Sequence, residues 1–187
     1  MQQSEVQTGY QQERLELRSC KLAYLAGFYD ADGCFSLYKT QRKRGKIYLR
    51  PQVSCTNCDF EQIDYICEVM AFLKFPYYIQ NRKGAKSNHR ASKDVKTIGV
   101  KRCSRILPQL IPYLIGKKER ASLLLWFCEL RLKKMGKAEP YSLVEVAIYD
   151  EIHEQNTKGQ SLESSETNTL ISHSNWDEDR VRACMRM

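Results

Sequence analysis

The chain has 187 residues, 42% hydrophobic and 28% charged, with a formal net charge of +8 and a pI of about 9.1. That length sustains one domain with a real core, and the apolar fraction excludes a wholly disordered chain. No apolar run reaches the roughly 20 residues of a membrane helix, the N-terminus has no secretory h-region, and the positive excess points to a polyanionic partner.

Residues 1–18 read as a polar N-terminal extension. The first helix spans Leu15–Ala31 at most, with Gly33 as its terminator. Phe35 and Leu37 then alternate with Ser36, Tyr38 and Thr40. In Lys46–Cys55, apolar Ile47, Leu49, Val53 and Cys55 alternate with Lys46, Tyr48, Arg50, Gln52 and Ser54, with Pro51 interrupting. Period two predicts two strands with one face on a core and one in water. The polar stretch Gln41–Gly45 joins them as a hairpin. The outward face carries Ser36, Tyr38, Thr40, Arg42, Lys46, Tyr48, Arg50, Gln52 and Ser54, and a two-stranded ribbon fits the DNA major groove.

The same layout repeats. Phe60–Leu73 has helical spacing after a cap at Asp59. Strands are predicted over Tyr77–Lys83 and Val95–Lys101, around a polar loop at Gly84–Asp94. Helices follow over Cys103–Leu114, broken or capped near Pro108 and Pro112, over Lys117–Met135 and over Ser142–Glu154. Residues 157–187 read as a Ser/Thr-rich, mobile tail, with a short helix over Trp176–Met187. Basic residues cluster in the two hairpins: six between Cys34 and Cys58 with no acid, and nine between Arg82 and Arg105 against Asp94 alone. Two such runs favour a nucleic-acid surface. Gln80, Arg82 and Lys96 join its proposed readers, while Lys86, Arg90 and Lys93 are expected on phosphates.

The eight cysteines are scattered and are expected to be reduced. Cys55 and Cys58 form the one CxxC, which lacks the second ligand pair of a zinc site. The end of the first helix is less ordinary. Asp30 and Asp32 fall at its C-terminus, the negative end of the macrodipole, at a cost of about 0.3–1 kcal/mol each. A divalent cation would offset them, since Mg²⁺ takes one or two carboxylates and keeps several waters. A calcium loop of the helix–loop–helix type fails, because Cys34, Tyr38 and Gln41 stand where further ligands belong.

The string Leu25-Ala26-Gly27-Phe28-Tyr29-Asp30-Ala31-Asp32-Gly33 resembles the signature motif of the LAGLIDADG homing endonucleases. Val53–Asn57 resembles the end of the family's second strand, and Leu110–Lys118 its later stretch ending in a functional lysine. The resemblance covers roughly 22–156, giving an expected endonuclease domain at 19–156. It implies an α+β fold of αββαββα order, with an antiparallel, saddle-shaped sheet and helices packed on one face. The periodicity gives the same order.

The resemblance also implies the chemistry: site-specific, metal-dependent hydrolysis of phosphodiesters in double-stranded DNA. Mg²⁺ is the expected cofactor, with Mn²⁺ or Ca²⁺ able to substitute in binding. Asp32 is the expected metal ligand, with Ala31 contributing its carbonyl and Asp30 acting as a cap or supporting acid. Asn57 is expected to position the attacking water and Lys117, with Lys118 as its rival, to organise that water and the phosphate. Many members carry another basic residue soon after the Asn57 position, where this chain has Asp59 and Glu61. One motif copy implies a homodimer on a pseudo-palindromic target, packed through Ala23, Ala26 and Gly27. No membrane or small-molecule substrate is expected. The resemblance implies an intracellular protein of organellar, microbial or phage origin. The alternatives on the same fold are an RNA-binding maturase that assists splicing of its own intron and a non-cleaving DNA-binding regulator.

Overall fold

The computed structural model describes residues 2–41, 47–83, 90–137 and 139–157. Arg42, Lys46, Lys86 and the expected tail from residue 158 onward lie outside the described residues. The elements are α1 (Gln2–Asp32), β1 (Gly33–Gln41), β2 (Ile47–Asn57), α2 (Phe60–Phe72), β3 (Tyr78–Arg82), β4 (Ser92–Ile98), α3 (Val100–Leu110), α4 (Lys118–Lys133) and α5 (Leu143–Thr157). A 3₁₀ turn, Ile111–Tyr113, links α3 to α4. This is the mixed helix and antiparallel-sheet fold that the periodicity predicts.

Several boundaries differ from expectation, and two of the differences relocate residues. Helix α1 continues back to Gln2 instead of starting near Leu15. Its first half is built from good helix formers such as Gln, Glu, Arg and Leu. It lacks the apolar stripe that announces a packed helix, and residues 11–17 are exposed. The second correction concerns the last strand, which spans Ser92–Ile98 rather than Val95–Lys101. Gly99 has φ +99°, turns the chain, and lets α3 start at Val100. The basic residues Lys101, Arg102 and Arg105 therefore sit on a helix. Pro108 lies inside α3.

The sheet order is β1-β2-β4-β3, two hairpins joined through an antiparallel β2–β4 pair. The first hairpin has the expected faces: Ser36, Tyr38 and Thr40 oppose Gln52, Arg50 and Tyr48, while Phe35 and Leu37 oppose Val53 and Pro51. Pro51 sits in a central strand without losing a ladder bond. Its partner side is the β4 side, where pairing begins only at Gln52, and its carbonyl accepts from Gly99 N at 2.9 Å. Two residues earlier, Leu49 N donates to the Tyr141 hydroxyl at 2.9 Å.

The inner sheet face gives Phe35, Val53, Cys55 and Val95 to the core. Facing them are Leu25, Ile63, Ile66, Met70, Ile106, Leu107, Leu124 and Phe127, all fully buried. Helix α2 starts on the predicted cap, with Asp59 Oδ1 accepting from Gln62 N at 3.1 Å. Among the described residues, Cys55, Cys67, Cys103 and Cys128 are buried free thiols, acting as small apolar side chains. No described helix is long and apolar enough to cross a membrane.

Helices α4 and α5 are joined by a buried carboxylate. Glu145 is fully buried and accepts from Ser142 N at 2.7 Å, Ser142 Oγ at 2.9 Å, Lys134 Nζ at 2.8 Å and Arg131 Nη1 at 3.3 Å. Ser142-x-x-Glu145 is a capping box. Burial by itself would raise the Glu145 pKa. The hydrogen bonds from Lys134 and Ser142 outweigh it, with the Arg131 charge, and hold the carboxyl below its ordinary value. Replacing Glu145 by Ala leaves two partly buried cations unpaired and should destabilise the fold by about 2–3 kcal/mol, read as a lower urea midpoint. Because the folded pKa is the lower one, this contribution is present above the ordinary carboxylate value of about 4.3. It should disappear as pH falls through the lowered folded value, a dependence that Glu145→Ala should lack.

Candidate active site and nucleic-acid interface

Strand β1 begins at the residue after α1 ends. The junction needs glycine: a Cβ on Gly33 would lie 2.4 Å from the Tyr29 ring and 2.6 Å from its Cα and carbonyl oxygen. The chain therefore turns directly from helix to sheet, and Asp32 stands exposed at the corner.

Asp30 and Lys117 lock this corner to the segment before α4. The Asp30 carboxylate accepts from Ile115 N at 2.7 Å and from Lys117 N at 2.9 Å. Lys117 Nζ donates in return to the carbonyls of Gly33 at 2.7 Å and of Tyr29 and Ala31, both at 3.1 Å. An ammonium at a helix C-terminus satisfies orphan carbonyls and complements the dipole. Burial first, then the neighbouring Arg120 charge, lowers the Lys117 pKa. Backbone amides and a nearby lysine thus offset the Asp30 charge, and Asp30 caps the segment entering α4. Of the two candidate lysines, Lys117 reaches this corner, and Lys118 is exposed at the start of α4.

Asp32 Oδ2 accepts from Asn57 Nδ2 at 3.2 Å. Asn57 also donates to Gln62 Oε1 at 2.7 Å and accepts from Asp59 N at 2.9 Å. Asp32, Asn57 and Lys117, expected together from the sequence, therefore converge on the end of α1. Gln62 was missed, although Asp59-x-x-Gln62 has the spacing of a capping box. Asp59 caps α2, and Glu61 is exposed.

Asp32 and the Ala31 carbonyl are exposed oxygen donors of the hard kind that suit Mg²⁺. By themselves they supply two donors, fewer than a divalent ion requires. Among the described residues no three His, Cys, Asp or Glu side chains group to hold a metal, and Ala31 O is shared with the Lys117 ammonium. The donor set fits a divalent ion if a second carboxylate is brought from outside the subunit.

The outer sheet face runs away from this corner. Tyr38, Thr40, Tyr48, Arg50, Gln80 and Arg82 are exposed on it, whereas Ser36, Gln52, Ser54 and Lys96 are 7–9% exposed. Gln52 Nε2 donates to Ser54 Oγ at 3.1 Å and Ser36 Oγ to Gln52 O at 3.5 Å. These three are knitted into the floor of the face, beneath the longer side chains. Lys93 faces the other way. It pairs with Asp64 at 2.8 Å and lies over the Phe60 ring, because strand alternation turns it opposite to Asp94. This corrects its expected place on phosphate.

Asp94 organises the second hairpin. Its side chain is fully buried, with Oδ2 bonded to Arg82 Nε at 2.6 Å and Lys96 Nζ at 2.7 Å, and Oδ1 to Thr56 Oγ1 at 2.7 Å. Lys96 Nζ also donates to Gln80 Oε1 at 2.7 Å. Burial would raise the Asp94 pKa, but the bonds from Lys96, Thr56 and Arg82 lower it below the ordinary value. Sequence reasoning counted Asp94 as one charge against a basic run. Its parity with Lys96 was the available signal.

Of the predicted packing residues on α1, Ala23 and Gly27 are exposed one turn apart. Ala26 is fully buried in the subunit's own core. That corrects its expected place on an outward stripe.

No curated protein sequence matches the chain. In structure it is similar to the homing endonuclease I-CvuI in complex with its target in the presence of 2 mM Ca (22% identity, TM-score 0.59, covering 90% of this chain and 94% of that one). It is also similar to an archaeal intron-encoded homing endonuclease complexed with DNA (17%, 0.59, 89% and 94%). A third is the group I intron-encoded I-CeuI complexed with DNA (16%, 0.55, 86% and 84%). The family model described as LAGLIDADG endonuclease matches residues 25–122, more than half of the chain. With the motif, the sheet topology and this match in agreement, the chain belongs to the LAGLIDADG endonuclease family.

Proposed function

We propose that the protein is a site-specific endonuclease of double-stranded DNA, acting with a divalent metal and as a homodimer on a pseudo-palindromic target. The observation that carries this reading is the convergence of Asp32, Asn57 and Lys117 where α1 meets the polar sheet face. The structural neighbours bound to DNA support the substrate.

Phosphodiester hydrolysis needs an aligned water, neutralisation of charge at phosphorus, and stabilisation of the departing oxygen. A bound divalent ion supplies Lewis acidity to the phosphate and acidifies water. Asp32 and the Ala31 carbonyl would hold it. Asn57 has an amide fixed by Gln62 and Asp59, which aligns the water. Lys117 uses three donors on three carbonyls. It can reach phosphate by exchanging its solvent-exposed bond to Ala31. Tyr38, Thr40, Tyr48, Arg50, Gln80 and Arg82 meet the groove directly. Ser36, Gln52, Ser54 and Lys96 act from the floor of the same face, and Arg42 and Lys46 belong to the same ribbon in sequence.

The homodimer is supported by Gly27 and by the incomplete donor set at Asp32. A mid-helix glycine costs roughly 0.5–1 kcal/mol relative to alanine, yet a Cβ there would meet nothing within 4 Å inside the subunit. The reason for glycine lies outside the subunit. A second copy packed on Ala23 and Gly27 would also bring the second Asp32.

Asp32→Asn should bind target DNA within a fewfold of wild type and lose detectable Mg²⁺-dependent cleavage. Undiminished cutting would remove the metal assignment. DNA binding without cutting by the wild-type chain would favour a non-cleaving DNA-binding regulator on the same scaffold, and splicing assistance without cutting would favour the maturase; neither needs Asp32. Lys117→Met should lower the single-turnover cleavage rate by about 10²-fold or more with a smaller effect on affinity. Arg50→Ala should weaken binding and make the slope of log K against log[salt] shallower by about one for each phosphate no longer neutralised, measured by titration across NaCl concentrations.

A further inference from the structure

Strand β1 lies at the edge of the sheet, so every second carbonyl along it needs a donor from outside the sheet. Leu37 pairs with Pro51, which has no N–H, and the same parity turns the carbonyls of Gly33 and Phe35 to the free edge. Side chains take both. Gly33 O accepts from Lys117 Nζ at 2.7 Å, and Phe35 O accepts from Asn156 Nδ2 at 3.2 Å. Asn156 lies in the last turn of α5, and its amide is oriented: Oδ1 accepts from Arg120 Nη1 at 2.6 Å, which leaves Nδ2 for the strand. Arg120 Nη2 holds Gln155 O at 2.6 Å, one of the last carbonyls of α5, where a cation also suits the dipole. Arg120 stands three residues after Lys117, in the first turn of α4. The bonds therefore close a ring, from α4 through the end of α5 to the β1 edge and back through Gly33 to Lys117.

We infer that Arg120 and Asn156 are positioning residues for the catalytic corner, fixing the β1 edge on which the Lys117 ammonium is aimed. This rests on the endonuclease reading and adds to it two residues from α4 and α5. When Lys117 exchanges its bond to Ala31 for a phosphate, its bonds to Gly33 and Tyr29 are what direct it. Gly33 is the anchor on the strand, and the hold on Phe35 two residues along keeps it in place. With Asn156 or Arg120 replaced, the start of the strand and the ammonium shift together. A displacement of about 1 Å at the reacting groups costs on the order of 10²-fold in rate. Affinity for DNA, in contrast, is dominated by phosphate contacts spread over the interface. The ring therefore governs the rate of cutting and leaves binding nearly untouched.

The test is single-turnover cleavage by the full chain at saturating protein and Mg²⁺, on a duplex that the wild type selects from a randomised pool. The variants are Asn156→Leu, Arg120→Met, Arg120→Lys and Glu145→Gln. Affinity for the same duplex is measured in Ca²⁺, and the assay temperature lies below every variant's unfolding midpoint. Asn156→Leu and Arg120→Met should cut about tenfold more slowly or worse, with Kd nearly unchanged. Arg120→Lys keeps the charge and a donor for Asn156 and should recover part of the Arg120→Met loss. Glu145→Gln loosens the opposite end of the α4–α5 pair and should cut at the wild-type rate, which separates position from stability. If Asn156→Leu does not fold, the two Arg120 variants decide by the same criteria. Wild-type rates in Asn156→Leu or Arg120→Met, a Kd that rises as much as the rate falls, or an equal slowing by Glu145→Gln overturns the inference and leaves the endonuclease standing. A wild-type chain that cuts no duplex in the pool overturns the endonuclease reading itself, and the inference with it.

Discussion

The site depends on one reciprocal clamp. Asp30 takes two backbone N–H groups from the segment entering α4, and Lys117 from that segment gives three bonds to the carbonyls at the end of α1. Each half answers an electrostatic problem. A carboxylate at the negative end of a helix is unfavourable until it finds donors, and the last carbonyls of a helix are orphans until something bonds them. Solving both with one segment fixes where α4 begins and where Asp32 points. Asp30 takes the backbone donors of that segment, while Asp32 stays exposed with Asn57 as its donor.

The sheet presents its polar face through a second buried charge. Asp94 has lost its water and holds Arg82, Lys96 and Thr56 in place, and Lys96 in turn orders Gln80. A buried carboxylate left with any one partner missing would be costly, so the network enforces the register of β3, β4 and β2 together. The polar side chains of this face are thereby pre-ordered, which lowers the entropy that any binding there would cost. Glu145 plays the matching part at the far end of α4, tying it to α5 through a capping box. The buried Asp94 and Glu145 thus bracket the fold.

Much of this was legible in the residues. Alternation in 35–55 gave the first hairpin with its correct faces, since one apolar side of a sheet must reach the core. Asp59 marked the start of α2 because a short side-chain oxygen suits an N-cap. Asp32, Asn57 and Lys117 followed from a specific motif and its companions. The failures have physical causes as well. The first half of α1 is helical without amphipathic signal, so periodicity could not extend the helix. Val95–Lys101 combined strand-like residues with a turn, and the positive φ of Gly99 is what divides them. Lys93 was misplaced because a count of charges ignores which side of the strand each one occupies.

The family motif, the order of the elements and the polar face of the first hairpin could all be read from the residues alone. Each is written in residues that are neighbours along the chain, so local spacing carries it. Packing was needed to reveal that Lys117 closes the end of a helix 84 to 88 residues before it. It was needed too for the burial of Asp94, for Ala26 facing inward while Gly27 does not, and for Ile115 standing in water. Those outcomes depend on which distant groups compete for the same donors, acceptors and space, and that competition is resolved only when the chain has folded.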